Sequence, residues 1–154
     1  MTEMTLTEVN IMDQPGLYLV LSSSPVSYYV DTRFAHPRVL RANPNLIQYA
    51  TEFDETDGQW VDLTDLVSLP LFERDGVPLA PGDVDWDDTP PWVLRVGARP
   101  LMACEDYNPD GTTYAFPWCP RITAAIDQLE AQPSDEDLAI GPETKLKKYG
   151  IETW

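Results

Sequence analysis

The stretch PGLYLVLSSSPVSYYVDT (15–32) carries apolar side chains at every second position on either side of a break at SSSP. Leu17, Leu19 and Leu21 fall on one face, and Val26, Tyr28 and Val30 match them on the return, which predicts a β-hairpin. PRVLRA (37–42) predicts a short strand before a turn at Asn43–Pro44–Asn45. Aromatic-rich pieces flank Asp57–Gly58 and apolar pieces flank Asp75–Gly76. Asp-Gly supplies the positive backbone angles that tight hairpins demand, so each pair predicts a turn between strands. Between them LTDLVSL (63–69) reads as one or two helical turns capped by Asp62.

In the second half, WVLRVGA (92–98), PLMACED (100–106) and TTYAFPW (112–118) read as three strands. The last two are joined by Asn108–Pro109–Asp110–Gly111, which fits a type I turn closed by a bulge. PRITAAIDQLEA (120–131) places Ile122, Ala125, Ile126 and Leu129 at helical spacing behind Pro120 and predicts a helix. Ser134 and Asp137 form a cap pattern before a short helix that Gly141 stops. PETKLKKYG (142–150) has Pro and Glu at its start, three lysines near its end and Gly150 as a stop, an order that suits the helix dipole.

These elements define an α+β fold: a mainly antiparallel β-sheet of short strands and hairpins, followed by two or three short C-terminal helices. One domain over residues 1–154 is expected, β-rich over 15–118 and helical over 120–150. Fifteen prolines imply short elements and long irregular connections. No run of 18 apolar residues occurs, and MTEMTLTEVN has neither a basic start nor an apolar stretch. A cytoplasmic protein without signal peptide or membrane span is the expectation.

Charge is sorted along the chain. The net charge is −16, which disfavours direct binding to nucleic acid or anionic lipid. Twelve acids and one base, Arg74, lie from Glu52 to Asp88, so this quarter of the chain holds eleven of the sixteen net charges. Arg33, Arg38 and Arg41 cluster just before it, around His36, the only histidine.

Few residues suggest chemistry. Asp83, Asp85 and Asp87 match positions 1, 3 and 5 of an EF-hand loop, but Asp88 stands where Gly is needed and Leu94 where the bidentate Glu is needed. DYNPDG (106–111) matches positions 1, 3, 5 and 6 but puts Pro117 at the twelfth, and its Pro109 suits a hairpin turn better than a metal loop. No metal and no cofactor are expected. Cys104 and Cys119 lie about four positions out of register across the NPDG turn, too far apart for a disulfide, and two cysteines with one histidine make no zinc site. His36 reads as a loop histidine, the alternative being a base or a phosphate-facing group. No nucleophile-elbow, phosphate-loop, zinc-protease or dinucleotide motif occurs. The chain is therefore read as a non-enzyme with no catalytic residues.

The remaining feature is GDVDWDDTPPW (82–92), where Asp83, Asp85, Asp87 and Asp88 surround Trp86, with Trp92 just beyond. Acidic loops often do no more than keep a small protein soluble. Here a tryptophan sits inside the densest cluster, and aromatic anchors carry binding energy at interfaces. Asp83, Asp85, Trp86, Asp87, Asp88 and Trp92 are the candidate partner-binding residues, and a row of carboxylates can stand in for a phosphate backbone.

GLYLVLSSSPVSYYVDTRFAHPRVLRANPN, with DGQWVDL and VGARPLMA further on, resembles small accessory proteins of actinobacteria and their phages. The shared pattern is a loose G-x-Y-x-V-x-S start, a DG-x-W strand and a β-rich body. The resemblance spans about two thirds of the chain and brings no catalytic or binding residue with it. It implies an accessory protein of a phage or mobile element, a setting in which compact acidic proteins bind and inhibit host factors. Three functions are thus in play. The first is a non-catalytic binding protein that modulates a basic, nucleic-acid-binding host protein. The second is a structural, virion-associated component, and the third a metal-dependent enzyme using Asp85, Asp87 or His36.

Overall fold

A computed structural model of the chain describes residues 6–22, 26–42, 58–140, 142–148 and 150. The first half contains β1 (Glu8–Asn10), β2 (Leu17–Ser22), β3 (Ser27–Asp31), β4 (Arg38–Ala42), β5 (Trp60–Ser68), β6 (Glu73–Arg74) and β7 (Val77–Pro78). The second contains β8 (Val93–Arg95), β9 (Pro100–Tyr107), β10 (Thr113–Trp118), β11 (Thr123–Leu129), α1 (Asp135–Ala139) and α2 (Pro142–Lys148). Seven strands form one antiparallel sheet in the order β10-β9-β5-β4-β3-β2-β11. The mainly antiparallel sheet with short C-terminal helices is thus as expected.

Every described residue of β2 and β3 is buried, because the sheet is covered on both faces there. On one face Tyr18, Val20, Val30, Val39, Leu66, Met102 and Ile126 pack beneath a ribbon of β1 and β8, which contributes Val9 and Leu94. Backbone bridges from Leu6 to Ile126 and from Val67 to Pro91 tie the segments flanking this ribbon to β11 and β5. On the other face Leu17, Leu19, Leu21, Tyr29, Leu40 and Ala125 pack with Leu146 of α2. Burying a side chain of this kind stabilises by about 1.5–3 kcal/mol, so the two layers together hold the sheet.

Three expectations are corrected. Residues 123–129 form a strand on the edge of β2, not a helix over 120–131. Both faces of that strand are covered, with Ile126 in one core and Ala125 in the other, and a register shift lies between Thr123 and Ala125. A strand buried on both sides loses its period of two, and Ile122, Ala125, Ile126 and Leu129 then imitate helical spacing. Residues 63–69 likewise lie in strand β5 apart from Leu69, with a register shift between Leu63 and Asp65. The irregularity turns both Leu63 and Leu66 inward while Thr64 and Asp65 face out, which imitates one helical turn. In the first hairpin Leu19 pairs with Tyr29 and Leu17 with Asp31, so Tyr28 and Val30 lie on the opposite face from the leucines.

The turn at Asp75–Gly76 is as expected, with positive φ of 53° and 79° at its two central residues. At Asn108–Gly111 the Gly111 N–H donates to the Asn108 carbonyl and Gly111 has φ 89°. Ser134 and Asp137 form a reciprocal capping box at α1. The expected turns at Asn43–Asn45 and at Asp57 lie outside the described residues. Among the described residues no helix is long and apolar enough to cross a membrane.

Both cysteines are free, Cys104 buried and Cys119 exposed. Tyr107 pairs with Thr113, which sets Cys104 opposite Phe116. Burial pushes the Cys104 thiol up to about 12. Ellman titration of the native protein should therefore count one thiol, and titration in denaturant two; a count of zero in denaturant would reveal a bridge.

Candidate interaction surface

The acidic segment is built from a hairpin and two tight turns. Glu73 pairs with Pro78 and Arg74 with Val77, and the Leu79 N–H donates to the Phe72 carbonyl to close the base of the hairpin. Pro81 then starts a single 3-10 turn over Pro81–Asp83, where proline's fixed φ and missing N–H cost nothing. Val84, which follows that turn, is buried. Beyond it the Asp85 carboxylate accepts the Asp87 N–H at 3.1 Å, and the Asp85 carbonyl accepts the Asp88 N–H at 3.1 Å. An aspartate folding the chain back on itself in this way is a common turn device.

These turns hold Trp86 outward. Its side chain is 61% exposed, yet it is fixed at two points: the indole N–H donates to the Pro81 carbonyl at 3.3 Å, and the Phe72 ring meets it edge-on at 5.6 Å. Edge-to-face pairs of this geometry contribute about 0.5–1.5 kcal/mol beyond burial. Val77, at the tip of the hairpin, is 64% exposed. Asp83, Asp85 and Asp87 are exposed in the same segment, as are Glu73 and Asp75 on the hairpin.

Two of the six sequence candidates take different roles. The Asp88 carboxylate accepts from Arg95 at 2.9 Å, and Arg95 also lies 3.7 Å from Glu8, so Asp88 ties the loop to β8 and β1. Trp92 is half-buried against the main core with φ 58°; its N–H donates to Leu66 and its carbonyl accepts from Ile11. It anchors the chain where the loop rejoins the body. The exposed set is Asp83, Asp85, Trp86 and Asp87, to which Phe72 is added. Phe72 lies fourteen residues before its partner, and only the hairpin between them could have signalled the pairing.

The basic cluster around His36 does not converge on one surface. Arg33 and Arg38 both turn to the buried carboxylate of Asp31, at 2.9 and 3.0 Å. Arg41 lies over the Trp118 ring on the opposite face of the sheet. His36 is exposed at the rim of a shallow cavity of about 330 Å³ that Asp62, Trp92 and Glu105 also line. In DYNPDG the Asp110 carboxylate accepts the Thr112 hydroxyl and N–H, bonds that hold it below the usual carboxylate range and commit it to the turn. Among the described residues no group of three or more His, Cys, Asp or Glu side chains is placed to hold a metal. Acidity continues onto the sheet, where Asp62 stands opposite Glu105 across β5 and β9.

Compared with known proteins, the chain matches no family model, no curated protein and no solved structure.

Proposed function

We propose that the protein is a non-catalytic binding protein whose loop around Trp86 engages a basic partner. A nucleic-acid-binding protein of a host cell is the class that the charge pattern fits best, and a phage or mobile-element accessory role fits the same reading. The observation that carries it is the posture of Trp86: a large apolar ring held in the open by two contacts, in one segment with the exposed residues Asp83, Asp85 and Asp87. A loop that only solvated the chain would have no use for a braced tryptophan. Pre-fixing an anchor lowers the ordering entropy lost on binding, while the surrounding charges steer a cationic partner toward it.

A pull-down from host lysate at low and high salt should return one predominant basic protein at low salt. With that partner, Trp86→Ala should raise the dissociation rate about thirtyfold, the equivalent of an anchor worth about 2 kcal/mol. The triple variant Asp83→Asn, Asp85→Asn, Asp87→Asn should instead slow association and flatten its salt dependence. Asp88 is left intact because it secures the loop. Parent-like kinetics in both variants would mean that the acids only solvate the surface. A large regular oligomer in gel filtration would favour the structural-component reading instead.

A further inference from the structure

On the sheet face away from the β1–β8 ribbon, the chain leaving β11 arches over Leu19 and Tyr29 before entering the two helices. A cavity of about 460 Å³ lies beneath this arch, within the range of small-molecule sites. Its walls are mostly apolar, from Leu19, Leu129, Pro133 and Ile140. One amine enters it: Lys145 of α2, half-buried, with Nζ 2.8 Å from the Tyr29 hydroxyl and 5.1 Å from the ring centroid. Tyr29 itself is buried. The other titratable groups lining the cavity, among the described residues, are Asp137 and Glu130.

We propose that this cavity binds a small uncharged carbonyl compound, an aldehyde or ketone with an apolar body, and that Lys145 captures it as an imine. The two carboxylates on the rim disfavour an anion, and the apolar walls disfavour a strongly hydrated ligand. Desolvation lowers the Lys145 ammonium to about 8, against a smaller opposing influence from the Asp137 charge. A fraction of the amine is then neutral at physiological pH and nucleophilic. In the capture step the nitrogen lone pair attacks the carbonyl carbon as the C=O π bond breaks, and the proton shed by the nitrogen passes to the oxygen to give a carbinolamine. The hydroxyl then leaves as water with a proton from Tyr29, the remaining N–H proton restores the Tyr29 hydroxyl, and a C=N bond is left with no net oxidation or reduction. Burial, with a lesser contribution from Asp137, raises Tyr29 to about 12, so its hydroxyl keeps its proton beside the nitrogen and can protonate the departing oxygen.

The chain makes the test simple, because its three lysines are Lys145, Lys147 and Lys148, all in α2. Butanal with cyanoborohydride at pH 7 converts any imine to a stable secondary amine that peptide mapping locates. A lysine near 8 holds about 200 times more neutral amine at pH 7 than an ordinary one near 10.4, and its lower basicity offsets part of that advantage. Lys145 is therefore expected to label at least about tenfold faster than Lys147 and Lys148. The rate should rise with a midpoint near pH 8 and saturate with butanal concentration. Tyr29→Phe should slow labelling several-fold while leaving the selectivity for Lys145. Equal labelling of the three lysines would overturn the proposal, and so would a Lys145 rate that stays linear in butanal. Both readouts come from the native chain and are independent of whether the Trp86 loop binds a partner.

Discussion

Replacing Ile126 by aspartate should unfold the protein. Ile126 is 0% exposed, pairs with Val20 across β11 and β2, and is bridged by Leu6 of the segment entering the ribbon. An aspartate there would bury a charge with no cationic partner among the apolar side chains of that core. The cost, about 5 kcal/mol or more, rivals the whole stability of a typical domain. Ile126→Val should cost only about 1 kcal/mol. The informative control is Ile122→Asp. A buried helical stripe would make it as damaging as Ile126→Asp, but the strand leaves Ile122 37% exposed, so its loss should stay under about 1 kcal/mol. Thermal melts by circular dichroism separate these outcomes. Equal damage from Ile122→Asp and Ile126→Asp would contradict the strand.

Asp31→Ala should be the next most damaging change, at about 3 kcal/mol. This carboxylate is fully buried at the end of β3, where it accepts the Arg33 N–H at 3.0 Å and both guanidinium groups at 2.9 to 3.1 Å. Its two arginines also pack over Phe34, and Arg38 stacks 4.1 Å from the Trp60 ring centroid. Removing one partner of a buried pair generally costs about 3–5 kcal/mol. The lower end applies because both arginines are about a quarter to a third exposed and regain water. Burial by itself would raise the Asp31 carboxyl, but the hydrogen bonds from Arg33 and then Arg38 outweigh it and hold the group below its ordinary value. A folded-state value below the unfolded one means that the ion pairs stabilise fully above the ordinary aspartate value of 3.8. That stability is lost as pH falls through the depressed value. Acid unfolding of the parent should therefore be steeper than that of Asp31→Ala in this window. Denaturant titrations at pH 7 and pH 3 measure both effects, and an Asp31→Ala protein as stable as its parent at pH 7 would show the triad to be neutral.

Much of the sheet was legible because turn chemistry and alternation agree. The Asp75–Gly76 and Asn108–Gly111 turns and strands β4, β9 and β10 all follow from that agreement. The failures share one cause. In β5 a register shift, and in β11 burial on both faces, placed apolar residues three and four apart, and only the neighbouring strands distinguish that pattern from a helix. The acidic loop was legible as composition, but not in its division of labour. Asp88 differs from Asp87 only by meeting Arg95 across the fold, and Phe72 meets Trp86 only once the hairpin has closed. Lys145 was invisible for a different reason. In sequence it is one of three lysines suited to the end of a helix, and only the packing of α2 over Tyr29 desolvates it.

Strand β10 bounds the sheet, and among the described residues no strand lies beyond it. An uncovered edge of six residues would ordinarily be a template on which a second chain could crystallise its own backbone. Pro117 sits within that edge, opposite Ala103, and its missing N–H leaves a gap in the row of donors that an incoming strand would have to match. Tyr114, Phe116 and Trp118 follow one another along one face of the same strand, with centroids 5.6 and 5.2 Å apart, the first pair tilted and the second edge-on. Growth of the sheet from copy to copy is thereby interrupted at the backbone. A neighbour received on this side would find the donor of residue 117 missing and could continue the ladder only past that gap.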